Sequence, residues 1–188
     1  MFSPFVHRLQ ARCVDAGASA AYRQTAAVPP AMLVRMLPAL GDVLYVPMPS
    51  DDVSREPMPP GVLVECAELA PLLQARYLVQ ATVITVDGPR EWIECVDRRG
   101  HICCRLHLLP DTDYLGWDRL IAAGTPAEVT PARLSFPRAR AVCAQLLRFH
   151  HRSLAGLLVL GADTAGHLSP MGRYLADRIA RDEAVALQ

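Results

Sequence analysis

Lysine is absent from this chain of 188 residues, so all 19 basic side chains are arginines. Alanine and proline are plentiful beside them, and a GC-rich genome accounts for all three biases. The physical residue of the observation is that arginine holds a carboxylate in a planar fork. An excess of either charge is also lacking, because 19 acidic groups balance the basic ones. No overall field therefore draws the protein to nucleic acid or to anionic lipid. Six cysteines occur, at 13, 66, 95, 103, 104 and 143, with no CxxC spacing. Cys103 and Cys104 would point to opposite faces of one strand, which argues against joint chelation of zinc and against a bridge between them. The start, Met1-Phe2-Ser3-Pro4-Phe5-Val6-His7-Arg8, lacks the basic opening and unbroken apolar run of a secretion signal. Reduced thiols in a cytoplasmic, soluble protein are the expectation. The longest apolar run, Leu154 to Ala162, is about half of what a membrane crossing needs. GxSxG, HExxH and Walker glycines are all missing, and no nucleophile stands beside an evident base.

What is present suits one folded domain over 1–188. Hydrophobic residues make up 52% and charged residues 20%, the balance of an ordinary globular chain long enough to bury one good core. Helices are expected over 1–41: first at residues 3 to 23, where Val6, Leu9, Gln10 and Cys13 recur at helical spacing, then from Pro29-Pro30 to Leu37, with proline tolerated in the first turn. Pro38 and Gly41 stop the second helix, and Asp42-Val43-Leu44-Tyr45-Val46 reads as a strand. Five prolines between 47 and 60 mark a surface loop or lid. A short strand at Gly61 to Cys66 and one or two helical turns at Glu68 to Gln74 follow.

The most informative stretch runs from Arg76 to Ile121. Arg76 to Val86 is dense in Val, Ile, Thr and Tyr and ends at the turn Asp87-Gly88-Pro89. Trp92 to Val96 and Ile102 to Leu109 flank a second turn at Arg99-Gly100, so residues 76 to 109 form a three-stranded antiparallel meander. Pro110-Asp111-Thr112-Asp113 then opens a helix, with Asp111 or Thr112 placed to accept its free amide protons. The region 42–123 is thus a sheet core and a following helix. For 137–188 the expectation is helical. Apolar residues at 142, 143, 146, 147, 154, 157 and 158 fit a long helix over 138 to 160, and Ser169-Pro170 caps and starts a last one ending near Ala184. The fold class that follows is α+β, an antiparallel sheet flanked by helices with a helical C-terminal extension.

Two groups of residues carry the chemistry. In the strand at 101 to 109, His101, Cys103, Arg105 and His107 alternate with Ile102, Cys104, Leu106 and Leu108. One face is core; the other presents polar groups to a ligand edge, or simply to water as in any half-exposed strand. On the expected long helix, His150 falls on the apolar stripe between Leu146, Leu147 and Leu154, with His151 about 100° round. An imidazole walled from water suits ligation of an iron porphyrin, whereas a boundary histidine bonded to a carbonyl suits the same pattern.

A resemblance joins these observations. Glu94-Cys95-Val96-Asp97, Gly100 and Thr112-Asp113-Tyr114-Leu115-Gly116-Trp117-Asp118-Arg119-Leu120-Ile121 resemble the haemin-degrading and haem-transport family of cytoplasmic haem utilisation proteins, of the HemS and ChuX type. There a strand turns at a glycine, returns, and enters an acidic helix with an aromatic. Leu33-Val34-Arg35-Met36-Leu37-Pro38-Ala39-Leu40-Gly41-Asp42-Val43-Leu44 is similar to the family's Leu-Pro-x-Leu-Gly-x-Val step from helix into first strand, and the two segments stand in the family's order. The resemblance covers about a third of the chain and matches one module. It implies a bacterial cytoplasmic haem-binding protein of iron acquisition, a carrier, store or delivery protein, with haem degradation as an extension. Family members hold haem through a histidine, aided by arginines. No histidine lies between Val46 and Gly100, so none transfers by motif. His150 and His151 are the candidate iron ligands, and Arg105 and His107 the candidate propionate contacts. The rival readings are a scaffold that has lost its cofactor site and acts by protein contact, as a homodimer or adaptor, and a small-molecule enzyme under the proline-rich loop.

Overall fold

The computed structural model describes residues 19–49, 58–85, 88–127 and 141–188. One nine-stranded sheet organises them: β1 (Ser19–Ala27), β2 (Asp42–Pro47), β3 (Val62–Val64), β4 (Tyr77–Thr85), β5 (Gly88–Val96), β6 (Ile102–His107), β7 (Thr125–Pro126), β8 (Gln145–Leu154) and β9 (Leu157–Thr164). Across the sheet the order is β3-β9-β8-β2-β6-β5-β4-β1-β7. Pairing is antiparallel throughout except between β3 and β9. Four helices accompany it: α1 (Pro30–Met36), α2 (Ala70–Gln74), α3 (Tyr114–Ala123) and α4 (Pro170–Asp182). The expected class, α+β with an antiparallel sheet, flanking helices and a C-terminal helix, is the one found, and the β4-β5-β6 meander is its centre.

The two faces of the sheet are covered unequally. On one, Leu33 and Val34 of α1, Leu72 and Leu73 of α2, and Trp117 and Leu120 of α3 pack on Val43, Tyr45, Ile93, Cys95, Cys104 and Leu106. On the other, α4 lays Ala176, Ile179 and Ala180 over Leu44, Val46 and Leu146. β2 lies between the two layers, and all six of its residues are buried. A strand enclosed on both faces reads in sequence as an unbroken apolar run, as Val43-Leu44-Tyr45-Val46 does.

That same enclosure defeats the expected helix over 138 to 160. The described part of it forms β8 and β9, a hairpin closed by Ala155 at φ 50° and Gly156 at φ 83°. Leu146 packs under α4 while Leu147 and Phe149 pack on the other side. Adjacent apolar residues serving opposite cores mimic helical spacing, and periodicity alone does not separate the two cases. The helix expected at 3 to 23 lies outside the described residues up to 18; its last five positions belong to β1. The proline-rich loop likewise lies outside them at 50–57.

The two segments that carry the family resemblance are locked into one device. α1 runs straight into a 3-10 turn at Leu37–Leu40, and Gly41, at φ 67°, swings the chain into β2. Gly41 forms an isolated bridge with Thr112, whose hydroxyl donates to the Asp42 carbonyl at 2.6 Å and accepts from the Leu109 amide at 3.0 Å. The Asp113 amide donates to the Leu40 carbonyl at 2.7 Å. α3 then crosses so closely that a Cβ on Gly116 would lie 2.0 Å from the Ala39 carbonyl oxygen. The cap of α3 is Asp113, whose carboxylate accepts from the Gly116 amide at 2.8 Å, in place of the expected Asp111 or Thr112. Asp111 instead accepts from the amide and hydroxyl of Ser169 at 2.8 and 2.9 Å, fixing the start of α4.

Candidate functional site

β6 places Cys104 and Leu106 against the helical layer, and Cys103, Arg105 and His107 beneath the α4 side. The polar face expected on this strand is therefore present, exposed at His101 but closed over at its other end, where His107 is only 6% exposed. Register sets its neighbours, because His107 lies opposite Trp92 of β5 on one side and Leu44 of β2 on the other. The Trp92 and His107 rings are 6.1 Å apart and inclined by 32°.

His107 Nε2 is buried and has no hydrogen-bond partner among the described residues. Burial, with Arg105 and Arg90 adding their positive charge, pushes the imidazole pKa from its ordinary 6.5 down to about 3. The ring is neutral at pH 7. A buried polar atom left unpaired costs about 1–3 kcal/mol, so its retention calls for a physical account.

A charged shell surrounds this imidazole. Arg105 donates through one terminal nitrogen to both Glu183 oxygens at 2.8 Å. Its Nε lies 3.4 Å from Glu94, a carboxylate only 4% exposed that also receives Arg23 at 3.3 Å. Trp92 Nε1 donates to the same carboxylate at 3.4 Å. Arg90, two residues before Trp92 and so on the same face of β5, donates to Asp182 at 2.5 Å. Three arginines thus meet Glu94, Asp182 and Glu183, with a neutral histidine among them. Chemically, the arrangement offers one imidazole nitrogen to a metal or to a hydrogen-bonding ligand, and guanidinium forks to ligand carboxylates.

His150 and His151 occupy a different setting. Both lie on β8, where consecutive side chains take opposite faces, so the two do not converge on one iron. The His150 ring stands over Gly161, where a Cβ would meet its Cε1 at 2.3 Å. Its Nε2 is 3.8 Å from Glu65 and 3.7 Å from Asp163, and Glu65 is in turn held by Arg152 at 2.6 Å. The side chain is 39% exposed, so the apolar walls expected around it are carboxylates and solvent. Those carboxylates would repel the propionates of a haem. His151 is exposed and opposite Leu160.

The sequence-level site contained Arg105 and His107 but missed Arg90, Trp92, Glu94, Asp182 and Glu183. For the three β5 residues a signal existed. Alternation along β5 puts Arg90, Trp92 and Glu94 on one face, but the register shift between Cys95 and Val96, which sets Trp92 opposite His107 and Glu94 opposite Arg105, is not reached by counting back from the turn. Nothing local in the sequence indicated that α4 returns to this face.

No family model matches the chain, and no curated protein does. Among solved structures, the haem-degrading enzyme ChuS of Escherichia coli O157:H7 matches with a TM-score of 0.42 and 16% identity, over 61% of this chain and 38% of that one. The chain thus spans well under half the length of that enzyme.

Proposed function

We propose that the protein binds haem in the service of haem and iron utilisation, as a carrier, store or delivery protein. The observation that carries this reading is His107: a neutral imidazole, shut from water, with Nε2 unpartnered and two arginines beside it. Those are the properties an axial ligand requires, since exclusion of water protects an iron–imidazole bond and neutrality leaves the lone pair available. The chain's resemblance to haem utilisation proteins supports it. The two resembling segments interlock through Gly41, Thr112 and Gly116, as parts of one inherited module would. His107 is preferred over His150 and His151 as iron ligand, and Arg105 serves the propionates. Bound there, haem would supply a redox-active iron; its degradation would need electrons and oxygen as well.

The test is a haemin titration followed at the Soret band. A sharpened, shifted band that is lost in His107→Ala and kept in a His150→Ala, His151→Ala double variant supports the assignment. A free-haemin spectrum at micromolar protein refutes the function. The alternative, a module acting through protein contacts, is favoured by one patch. Leu63, Leu154 and Leu157 are exposed on β3, β8 and β9, with Leu154 and Leu157 directly paired. Light scattering that gives a monomer across the micromolar range counts against a homodimer.

A further inference from the structure

We infer that the outer flank of the sheet, on the side where α4 lies, docks a second copy of this chain, stacked sheet on sheet about a two-fold axis that runs along the β8–β9 hairpin. The inference goes beyond the haem reading and does not depend on it. It gives the protein-contact alternative a definite geometry.

Alternation fixes what this flank presents. β8 buries Leu146 beneath α4, so Arg148, His150, Arg152 and Leu154 face the same side further along the strand. Register places Asp163, Gly161, Val159 and Leu157 of β9 directly across from them, in that order. β3 adds Leu63 beside Val159 and, just past its end, Glu65, whose carboxylate lies over Gly161 where a Cβ would meet it at 2.2 Å. α4 packs further in, over Leu44, Val46 and Leu146. No helix among the described residues covers the flank, and Leu63, Leu154 and Leu157 stand exposed at its far end.

The rungs of the hairpin identify the occupant. Rotation about an axis parallel to the strands and midway between them exchanges β8 of one copy with β9 of the other, so each side chain meets its own cross-strand neighbour from the second copy. Arg148 then faces the second copy's Asp163, the His150 ring faces the second copy's Glu65 over Gly161, and Leu154 faces the second copy's Leu157, each contact being made twice. On the remaining rung the apolar stem of Arg152 lies on Val159. Base meets acid and apolar meets apolar by symmetry alone, which is the self-complementarity that an isologous contact requires. Asp163 has the capacity for such a partner: its side chain is 77% exposed, and among the described residues its one basic neighbour within 4.0 Å is the His150 ring, at 3.7 Å. A stacked sheet lies about 10 Å above the first, the layer that α4 already occupies alongside, so the second copy fits beside the helix. The contact is modest. Three strands about 4.8 Å apart and four rungs tall bury on the order of 400 Å² per copy, half of the ~800 Å² of a standard interface, so the dimer is transient.

Sedimentation equilibrium of the full chain without haemin, from about 5 to about 500 μM, is the test, and the wild type should pass from monomer to dimer within that range. The Leu154→Asp, Leu157→Asp variant and the Leu154→Arg, Leu157→Arg variant each set like charges face to face and should associate at least about tenfold more weakly. Mixed in equal amounts, the two should form a heterodimer, because every altered rung then pairs acid with base. Asp163→Arg, which faces the second copy's Arg148, should weaken the dimer about tenfold. All three positions are exposed, so the variant monomers should melt near the wild-type temperature. A wild type monomeric at the highest concentration, acid and arginine variants that dimerise as the wild type does, or a mixture that fails to associate would each overturn the proposal and leave the face to another partner. None of these readings involves haemin, so loss of the dimer and loss of haem binding are separate results.

Discussion

Replacing His107 by phenylalanine should stabilise the protein, and more so as the solution is acidified. Phenylalanine keeps a flat ring against Trp92 and removes the unpaired Nε2. Relief of that burial is worth about 1–3 kcal/mol, part of which is lost to the larger ring, leaving about 1 kcal/mol at pH 7. The pH term has a definite sign. The imidazole pKa is about 3 in the folded protein against 6.5 when unfolded. Below pH 6.5 the unfolded chain takes up a proton that the folded one refuses, so stability present above 6.5 is lost as pH falls toward 3. Between pH 7 and pH 5 that loss is about 2 kcal/mol, and any folded value below about 4 gives nearly the same figure. The advantage of the variant should therefore grow from about 1 to about 3 kcal/mol, or from ~3 °C to ~9 °C in melting temperature for a chain of this size. Urea unfolding of both proteins at pH 7, 6 and 5 measures it, and other titrating groups largely cancel in the difference. A constant difference at all three pH values would show that His107 is protonated or hydrated in the native state, and the argument for a neutral ligand nitrogen would fall with it.

Two further substitutions test the scaffold that positions the site. Gly116→Ala should destabilise by about 2–3 kcal/mol although alanine favours helix by about 1 kcal/mol, because its Cβ would meet the Ala39 carbonyl at 2.0 Å; a thermal melt unchanged or raised would contradict the close crossing of α3. Asp113→Ala should lower stability by about 1 kcal/mol through loss of the cap on the Gly116 amide, whereas Asp113→Asn should recover most of it, as chemical denaturation would show.

Much of the fold was legible because local chemistry and tertiary role agreed. The β4-β5-β6 meander is marked by turn glycines and by strand formers, and α3 and α4 begin at side-chain caps. Disagreement arose where one strand serves two cores. Leu146 and Leu147 each face a different layer, so β8 opens without clean alternation, and Arg148 is its only exposed position before His151. A helix was the natural reading of that pattern. Gly156 inside Leu154-Ala155-Gly156-Leu157 was the available signal of a hairpin, since a left-handed pair closes one readily. The α3 cap moved by one position for a similar reason. Thr112 was already engaged with the Asp42 carbonyl, seventy residues away, which no local reading contains.

The polar face of β6 shows how such a partner changes the meaning of a pattern. Alternating His101, Cys103, Arg105 and His107 reads as a strand with one wet side, and a wet His107 would titrate near 6.5 and carry no obligation to find a partner. Two elements overturn that. β5 brings Trp92 against the imidazole, and α4 brings Glu183 onto Arg105, so Arg105 and His107 join a largely buried cluster whose charges must balance, while His101 stays exposed beside Asp97. The terminal nitrogens of Arg90 and Arg105 meet carboxylates, while Arg105 Nε, 3.4 Å from Glu94, and His107 Nε2 are left without a hydrogen bond among the described residues. Close packing alone would favour an apolar residue at this position, and Leu44, directly opposite on β2, shows that the neighbouring strand supplies one. The haem ligand proposed above would supply the partner that the folded chain withholds from His107 Nε2.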